Sequence, residues 1–465
     1  MSSASIFAFI NRLEQMEFAL HSILIVRRGQ LLAEGYWKPF HRAKTHRLYS
    51  CSKSFVSIAI GFMIAEGKLT LDDRVADFFP DKHPNGGVHP YIASATVRHL
   101  LMMASPHEHT AYTVLPIDDW TKAFFHCAPS HWPGSVFSYD TSATHVLTAI
   151  VERLSGSELT EYLWPRLLEP LGIGRLTCIK DPVGTSWGGS GILCTPMDFA
   201  KVALCCMQNG MFDGKQIIPA DYIRAATAKQ IDTHLHGRTP DMSQGYGYQF
   251  WRLTHNAFAF VGMGGQLAVC VPDTELLVVL NGDDQWQENQ YITQINAIWD
   301  ILLPGLSDAP LPTNDADTQA LAARLSSLTL HSLHGHTGNP IAQSVHDTLY
   351  TLDTVWNGFH SVRFRFTKER GVMTLYNDNG AHIISFGMGH NVLSKFPIYG
   401  YDCAASAIWD ETGNLLLQCY VIDNYFATLR IAVHFDGARV TLHMKKVAEM
   451  FMDEFTGCIS GHSAS

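Results

Sequence analysis

The stretch SCSKSFVSIAIGFMI, residues 50–64, begins with Ser-x-x-Lys and continues as an almost uninterrupted apolar run. The run predicts a buried helix, on which a lysine three residues after a serine lies on the same face, one turn away. The Lys53 amine can therefore reach the Ser50 hydroxyl. A serine hydroxyl is a weak nucleophile until a base takes its proton, and a lysine desolvated among apolar residues can serve as that base. The stretch therefore predicts a nucleophile and its base on one buried helix.

The composition limits the class of protein. The chain has 465 residues, 46% of them hydrophobic and 16% charged, which indicates a globular protein of two or three domains. The net charge is −10 without a basic cluster, so we expect no nucleic-acid partner. No apolar run is long enough to predict a membrane span, and the N-terminus does not resemble a signal peptide. The ten cysteines are scattered without a Cys-x-x-Cys pair, which favours free thiols in a reducing cytoplasm.

Two further motifs follow downstream. Tyr139 stands before a predicted helix, and the sequence Gly-Met-Gly-Gly-Gln, residues 262–266, follows a predicted strand. Glycines at a strand end let the backbone approach a ligand closely. Together with Ser50 and Lys53, this order of motifs resembles the serine β-lactamase and penicillin-binding-protein superfamily. Within it, the chain is most similar to the class C-like branch of serine esterases and 6-aminohexanoate-oligomer hydrolases, over roughly residues 5–305.

The resemblance implies an α+β fold for residues 1–305, an antiparallel sheet flanked by helices with a helical subdomain. Prolines and aspartates without periodicity predict a linker over residues 306–320. From residue 321 to 465, alternating segments separated by turns predict an all-β domain, either an up-and-down sheet or a small barrel. The predicted strands are residues 362–366, 372–376, 383–386, 404–409, 415–422, 427–434 and 440–444. Similar lipocalin-like extensions follow the hydrolase domain in many members of this branch.

The resemblance also assigns roles to individual residues. Ser50 would be the nucleophile, and Lys53 and Tyr139 would transfer protons. A phenol held near an ammonium has its phenolate form favoured, so Tyr139 is expected to accept and return protons. The backbone N–H groups of Ser50 and Met263 would form an oxyanion hole, in which the loss of one donor typically costs about 10²–10³ in rate. The predicted substrate contacts are Thr141, Gly262, Gly264 and Trp251, although packing in the core is the alternative for Trp251.

The chain departs from the family pattern at two places. The Tyr-x-Asn element is Tyr139-Asp140-Thr141 here, so Thr141 replaces the asparagine, and Asp140 is expected to point away. The strand that supplies a cation in β-lactamases is apolar up to Gly262. The missing cation argues against recognition of a β-lactam carboxylate and favours neutral esters or amides with an apolar acyl part.

The sequence therefore predicts a serine hydrolase that cleaves a small ester or amide through an acyl-enzyme, without a cofactor or metal. One alternative is a D-amino-acid peptidase or weak β-lactamase, and another is a non-catalytic binding or sensor protein of the penicillin-recognising type. A metal site at His107 and His109 is disfavoured because no third ligand stands at a suitable spacing. The expected partner is a small-molecule substrate and not a membrane, and the sequence leaves a homo-oligomer open.

Overall fold

The computed structural model of the protein describes residues 1–237, 239–287 and 290–463, which form two compact units. The first unit consists of Met1–Met16, His21–Gly282 and the described residues of Asn289–Leu328. The second consists of Glu17–Leu20 and the described residues of Asp283–Glu288 and Thr329–Ser465. In the part of the chain that is described, no helix has the length and apolar character needed to cross a membrane.

Short strands and helices alternate in the first unit. Its strands are β1 (Leu20–Arg27), β2 (Gln30–Tyr36), β3 (His46–Arg47), β4 (Thr177–Cys178), β5 (Ile192–Cys194), β6 (Met211–Phe212), β7 (Lys215–Gln216), β8 (Trp251–Arg252), β9 (Phe258–Gly262), β10 (Gln266–Val271) and β11 (Leu276–Gly282). The main sheet has the strand order β2–β1–β11–β10–β9–β8, and its hairpin pairs β1–β2, β8–β9, β9–β10 and β10–β11 are antiparallel.

Helices surround this sheet. They are α1 (Ser3–Gln15), α2 (Ser52–Ala65), α3 (Pro90–Ala93), α4 (Val97–Leu101), α5 (Ala111–Val114), α6 (Trp120–His126), α7 (Thr141–Ser155), α8 (Leu159–Leu163), α9 (Pro196–Met207), α10 (Ala220–Thr227), α11 (Gln290–Ala297) and α12 (Asp315–Ser327). Helix α2 is the centre of the core, because it contacts α7, α8 and α10 and its residues 52–63 are all buried. A helix surrounded on every side needs apolar residues all round, which explains the uninterrupted run in the sequence.

The second unit is a closed β-barrel. Its strands are β12 (Leu349–Trp356), β13 (Phe359–Phe366), β14 (Arg370–Asn377), β15 (Gly380–Met388), β16 (Val392–Lys395), β17 (Asp402–Trp409), β18 (Leu415–Ile422), β19 (Phe426–Asp436), β20 (Arg439–Ala448) and β21 (Gly457–Ser463), with a short helix, α13 (Ile341–Ser344). Nine strands pair in the order β15–β14–β13–β12–β21–β20–β19–β18–β17, and a parallel pairing of β15 with β17 closes the ring. Alternate apolar side chains from these strands fill the interior.

The predicted fold class is confirmed, an α+β unit with an antiparallel sheet followed by a β-barrel. The predicted boundaries at residues 305 and 321 stay a prediction. In the structure, helix α12 packs against α1 and β2, and Arg324 of α12 donates a hydrogen bond to Asn11. This packing explains why the described residues up to Leu328 group with the first unit.

The second unit also contains a buried carboxylate that gives a pH prediction. Asp283 is fully buried and accepts hydrogen bonds from Thr428 and Gln285, yet burial raises the pKa of its carboxyl to about 6. A pKa above the unfolded value stabilises the fold at low pH, and this contribution is lost as the pH rises through 6. Between pH 5 and pH 8 it amounts to about 1 kcal/mol. Urea unfolding of the Asp283→Asn variant should therefore lose less stability over this range than the wild type, whereas parallel profiles would contradict the prediction.

Candidate active site

The serine and lysine of the Ser-x-x-Lys motif lie in contact. Ser50 is in a 3₁₀ turn, Tyr49–Cys51, that leads directly into α2, and Lys53 is the second residue of that helix. The Lys53 Nζ donates hydrogen bonds to the Ser50 Oγ at 2.9 Å and to the Gly189 carbonyl oxygen at 2.7 Å. Lys53 is only 1% exposed. The amine is thus held away from bulk water against the hydroxyl that it is predicted to deprotonate.

The backbone directly before the nucleophile is strained. Tyr49 has a φ of +47°, in the left-handed region that non-glycine residues rarely adopt. Its ring lies 4.2 Å from the guanidinium of Arg47, which also lies over Trp187 and donates two hydrogen bonds to Ser190. Arg47 is fully buried, so these contacts fix the turn relative to the segment 187–190. The same segment supplies the carbonyl that binds Lys53.

The Gly188-Gly189 pair is needed because helix α7 approaches it closely. A Cβ at Gly188 would lie 2.2 Å from the Thr148 hydroxyl of α7, and one at Gly189 would lie 2.6 Å from the Thr141 methyl. Neither position has room for a side chain. Because both residues are glycines, the segment can pack closely enough for the Gly189 carbonyl to reach the Lys53 amine. Apart from the double glycine after Trp187, nothing in the sequence indicates this contact.

Tyr139 is the third member of the cluster. It lies on the loop directly before α7, and its hydroxyl forms a hydrogen bond with that of Ser50. The Lys53 Nζ is 5.0 Å from the centre of the Tyr139 ring. The structure therefore brings together the three residues that the sequence predicted to be catalytic.

The protonation state that the structure indicates for Tyr139 differs from the one expected from the sequence. The nearby ammonium was expected to favour the phenolate, but burial, the largest influence, raises the pKa of the Tyr139 hydroxyl well above its ordinary value. The hydrogen bond with Ser50 lowers this pKa and offsets only part of the effect. Desolvation disfavours a phenolate more than a single polar neighbour favours it. Tyr139 is accordingly a neutral phenol in the resting site.

The residues that follow Tyr139 have different positions. Asp140 is fully buried and caps α7, since its carboxylate accepts hydrogen bonds from Ser142 and from the Ser105 hydroxyl. It therefore points away from the cluster, as expected. Thr141 begins α7 and its N–H donates to the Thr110 hydroxyl. Because its methyl faces Gly189, Thr141 lies beside the Lys53 acceptor, and its contact with substrate stays a prediction.

The glycine-rich strand end lies against the nucleophile turn. A Cβ at Gly262, the last residue of β9, would lie 2.3 Å from the Leu48 carbonyl oxygen and 3.0 Å from the Cys51 sulfur. Gly264 and Gly265 follow Met263 with φ angles of +81° and +90°, which glycine adopts without strain. Residues 262–264 are therefore at the place where the sequence predicted the oxyanion hole and substrate contacts, and those roles stay predictions.

A buried amide fixes the turn between β9 and β10. The Gln266 Nε2 donates hydrogen bonds to the carbonyls of Met263 and Gly282, and its Oε1 accepts one from Asn281. Asn281 in turn accepts a hydrogen bond from Ser22 on β1. These side chains are fully or almost fully buried, so the network determines the position of the Met263 backbone. The sequence analysis did not identify this supporting role of Gln266.

Aromatic side chains form one wall beside Tyr139. Trp251 stacks on the Tyr139 ring with 5.9 Å between ring centres, and it is only partly buried. Tyr246 and Phe137 contact the same indole at 5.0 and 5.6 Å. Trp251 thus lies next to the cluster of Ser50, Lys53 and Tyr139, a position that fits its predicted substrate contact.

The two histidines of the weak metal hypothesis do not converge. His107 is buried and its Nε2 pairs with the Phe124 carbonyl oxygen at 3.0 Å, whereas His109 is exposed. Within residues 1–237, 239–287 and 290–463, no group of three or more His, Cys, Asp or Glu side chains is arranged to hold a metal ion. His107 therefore has a packing role in the core of the first unit.

The close approach at Gly262 gives a testable prediction. In Gly262→Ala, the new methyl cannot fit against the Leu48 carbonyl, so β9 must move away from the nucleophile turn. We expect hydrolysis of esters to fall by about 10²-fold, because misplacing one oxyanion donor has an effect of this size. Gly174→Ala is a matched control, since a Cβ there meets no atom within 4 Å. Equal kcat/KM values for the two variants would contradict this role of the strand end.

Comparisons with known proteins agree with this geometry. The family model described as Beta-lactamase matches residues 14–286. A 6-aminohexanoate-dimer hydrolase from Paenarthrobacter ureafaciens is 24% identical over 306 residues, which cover 58% of this chain and 76% of that protein. Esterase EstB from Burkholderia gladioli is 28% identical over 176 residues, which cover 33% of this chain but only 44% of the esterase.

One solved structure is similar over almost the whole chain. The octameric penicillin-binding protein homologue from Pyrococcus abyssi has a TM-score of 0.50 at 16% identity, and the alignment covers 98% of this chain and 99% of that chain. At this level of identity the likeness shows a shared fold alone.

Proposed function

The chain belongs to the beta-lactamase family, and on that premise we propose that it cleaves a small ester or amide through an acyl-enzyme on Ser50. The proposal depends above all on one observation, the buried Lys53 Nζ at 2.9 Å from the Ser50 Oγ. Nucleophilic catalysis by serine requires a base within hydrogen-bond reach of the hydroxyl, and a buried amine in contact with that hydroxyl can be this base. The similarity to an amide hydrolase and to an esterase supports the ester or amide substrate class.

The geometry suggests how protons move during acylation. The Ser50 Oγ attacks the substrate carbonyl carbon while its proton passes to the Lys53 Nζ. The developing oxyanion is stabilised by the backbone N–H groups of Ser50 and Met263. Tyr139 retains its phenolic proton in the resting site, so it donates that proton to the leaving oxygen or nitrogen and recovers one from Lys53. Water then hydrolyses the acyl-enzyme by the reverse sequence of transfers.

The Gly189 carbonyl has a supporting role in this scheme. An ammonium on Lys53 needs hydrogen-bond acceptors when it is buried, and the Gly189 oxygen at 2.7 Å supplies one. It also orients the amine, so that Ser50 remains within reach throughout the cycle.

We further propose that the protein works in the cytoplasm. The ten cysteines all lie in the described part of the chain, and each is a free thiol there. Most of them are buried. Free thiols throughout a protein of this size are typical of a reducing compartment.

A substrate panel tests the proposed class of reaction. The purified protein is assayed with p-nitrophenyl esters of increasing acyl length, with the corresponding anilides, and with a chromogenic cephalosporin. We expect turnover of esters or anilides and little turnover of the cephalosporin, because the strand ending at Gly262 supplies no cation for its carboxylate. A higher kcat/KM for the cephalosporin than for every ester and anilide would overturn the proposed substrate class in favour of a β-lactamase.

A further inference from the structure

The second unit contains a cavity of about 500 Å³ that the proposed reaction does not use, and the described residues that line it all belong to that unit. It opens on the face of strands β18, β19 and β20 that is opposite the apolar barrel core. Volumes of this size are typical of sites for small organic ligands. The cavity is therefore large enough to bind a small organic ligand.

An arginine in this cavity is held in one orientation. The Arg430 guanidinium lies over the Trp286 ring, 3.8 Å from its centre, and its Nε donates a hydrogen bond to the Gln418 Oε1 at 3.0 Å. The Gln418 amide is itself buried and donates to the Tyr420 hydroxyl. Among the described residues, the two terminal nitrogens of Arg430 donate to no acceptor. A fixed guanidinium with available donors is suited to bind a planar anion such as a carboxylate.

A second cation stands directly opposite this arginine. Arg430 of β19 pairs in register with Lys445 of β20, and both side chains line the cavity. Like charges directly opposite each other on one face destabilise a β-sheet. The Glu17 carboxylate, which acts on Arg430 from the same lining, offsets one of the two positive charges, and an anion bound between the two side chains would offset the other. The cross-strand pair is thus a second observation, independent of the arginine geometry, that indicates a negatively charged ligand.

The rest of the lining limits the ligand further. Among the lining residues that the structure describes, Glu17 is the one carboxylate, so a ligand with a single negative charge fits better than a polyanion. Leu333, Leu416 and Ala432 supply apolar surface next to the cations. We propose that this cavity binds a small monocarboxylate, with the carboxylate between Arg430 and Lys445 and a compact apolar or aromatic group against the leucines.

Binding of benzoate to the full-length protein tests the proposal, with neutral benzamide as the matched probe. In a ligand-observed NMR titration we expect benzoate to bind with a Kd on the order of 1 mM and benzamide at least tenfold more weakly. Arg430→Gln should weaken benzoate binding by about tenfold or more, and Lys445→Gln by severalfold. Arg439 is an exposed arginine on β20, the strand of Lys445, and it does not line the cavity. The Arg439→Gln variant should therefore bind benzoate like the wild type.

The Ser50→Ala variant separates this site from the proposed active site. It should bind benzoate as the wild type does, because Ser50 belongs to the first unit and the cavity to the second. The proposal would be overturned by equal affinities for benzoate and benzamide, by unchanged binding in both cavity variants, or by loss of binding in Ser50→Ala. Thermal unfolding of each variant establishes that the fold is intact.

Discussion

Ser50→Ala should reduce kcat/KM for ester hydrolysis by about four to six orders of magnitude, because removing a covalent nucleophile leaves only binding and oxyanion stabilisation. The melting temperature should change by only a few degrees, since the substitution removes one hydroxyl and its two hydrogen bonds, those with Lys53 and Tyr139. The measurement is the initial rate with p-nitrophenyl esters, together with thermal unfolding of the same samples.

Ser57→Ala is the matched control for this prediction. Ser57 lies on the same helix, one turn beyond Lys53, and its hydroxyl pairs with that of Tyr222 at 2.9 Å. We expect this variant to be less stable than the wild type but to keep its kcat/KM within a few-fold. A Ser50→Ala variant that retains more than a few per cent of wild-type activity would show that another group is the nucleophile.

Lys53→Ala and Tyr139→Phe should each lower kcat by about 10³-fold or more, and the double variant should be little worse than either single one. The reason is that both side chains contact Ser50 and serve one proton path. Residues that act as a unit are strongly non-additive in their effects on rate. The measurement is a double-mutant cycle in kcat for one ester substrate.

Multiplicative losses in that cycle would contradict a shared proton path. They would mean that Lys53 and Tyr139 assist separate steps, although both touch the same serine. Lys68→Ala is a suitable control for the lysine substitution, because this lysine lies just beyond α2 and pairs with Glu66 near the surface. We expect it to have kcat close to that of the wild type.

The sequence predicted well those contacts of the site that join residues close together in the chain. Ser50 and Lys53 are three residues apart on one helical turn, so their contact follows from helix geometry alone. The Gly189 carbonyl is 136 residues further along the chain than Lys53, and no spacing rule connects them. The Gln266 network similarly depends on Asn281 and Ser22. The three residues lie on β10, β11 and β1, and they meet only when these strands are neighbours in the folded sheet.

Tyr139 shows why a charge argument from sequence can fail. The sequence suggested only a nearby ammonium, and that charge alone would favour the phenolate. The fold adds burial among aromatic rings, and desolvation then outweighs the polar neighbours and raises the pKa of the hydroxyl. Burial is a property of the tertiary structure, so the sequence could identify the residue but not its protonation state.

The β-barrel was likewise predicted only in part, because some of its strands have a clear sequence pattern and others do not. Strands such as Leu415–Ile422 and Phe426–Asp436 alternate or run apolar between clear turns, and they were identified. Leu349–Trp356, Val392–Lys395 and Gly457–Ser463 were not, because they contain many exposed residues and little periodicity. The pairing of β12 with β21 joins segments about a hundred residues apart, so the closed ring could be expected only as one of two architectures.

The most direct test of the account is to locate the acyl-enzyme. The wild-type protein is treated with a fluorophosphonate and, separately, with a slowly hydrolysed ester, and its intact mass and peptide fragments are measured. We expect one covalent group per chain, placed on Ser50 and distinguished from Ser52 and Ser54 by fragmentation, and no label in Ser50→Ala. A label on any other residue, or an active and unlabelled protein, would contradict the assignment of Ser50 as the nucleophile.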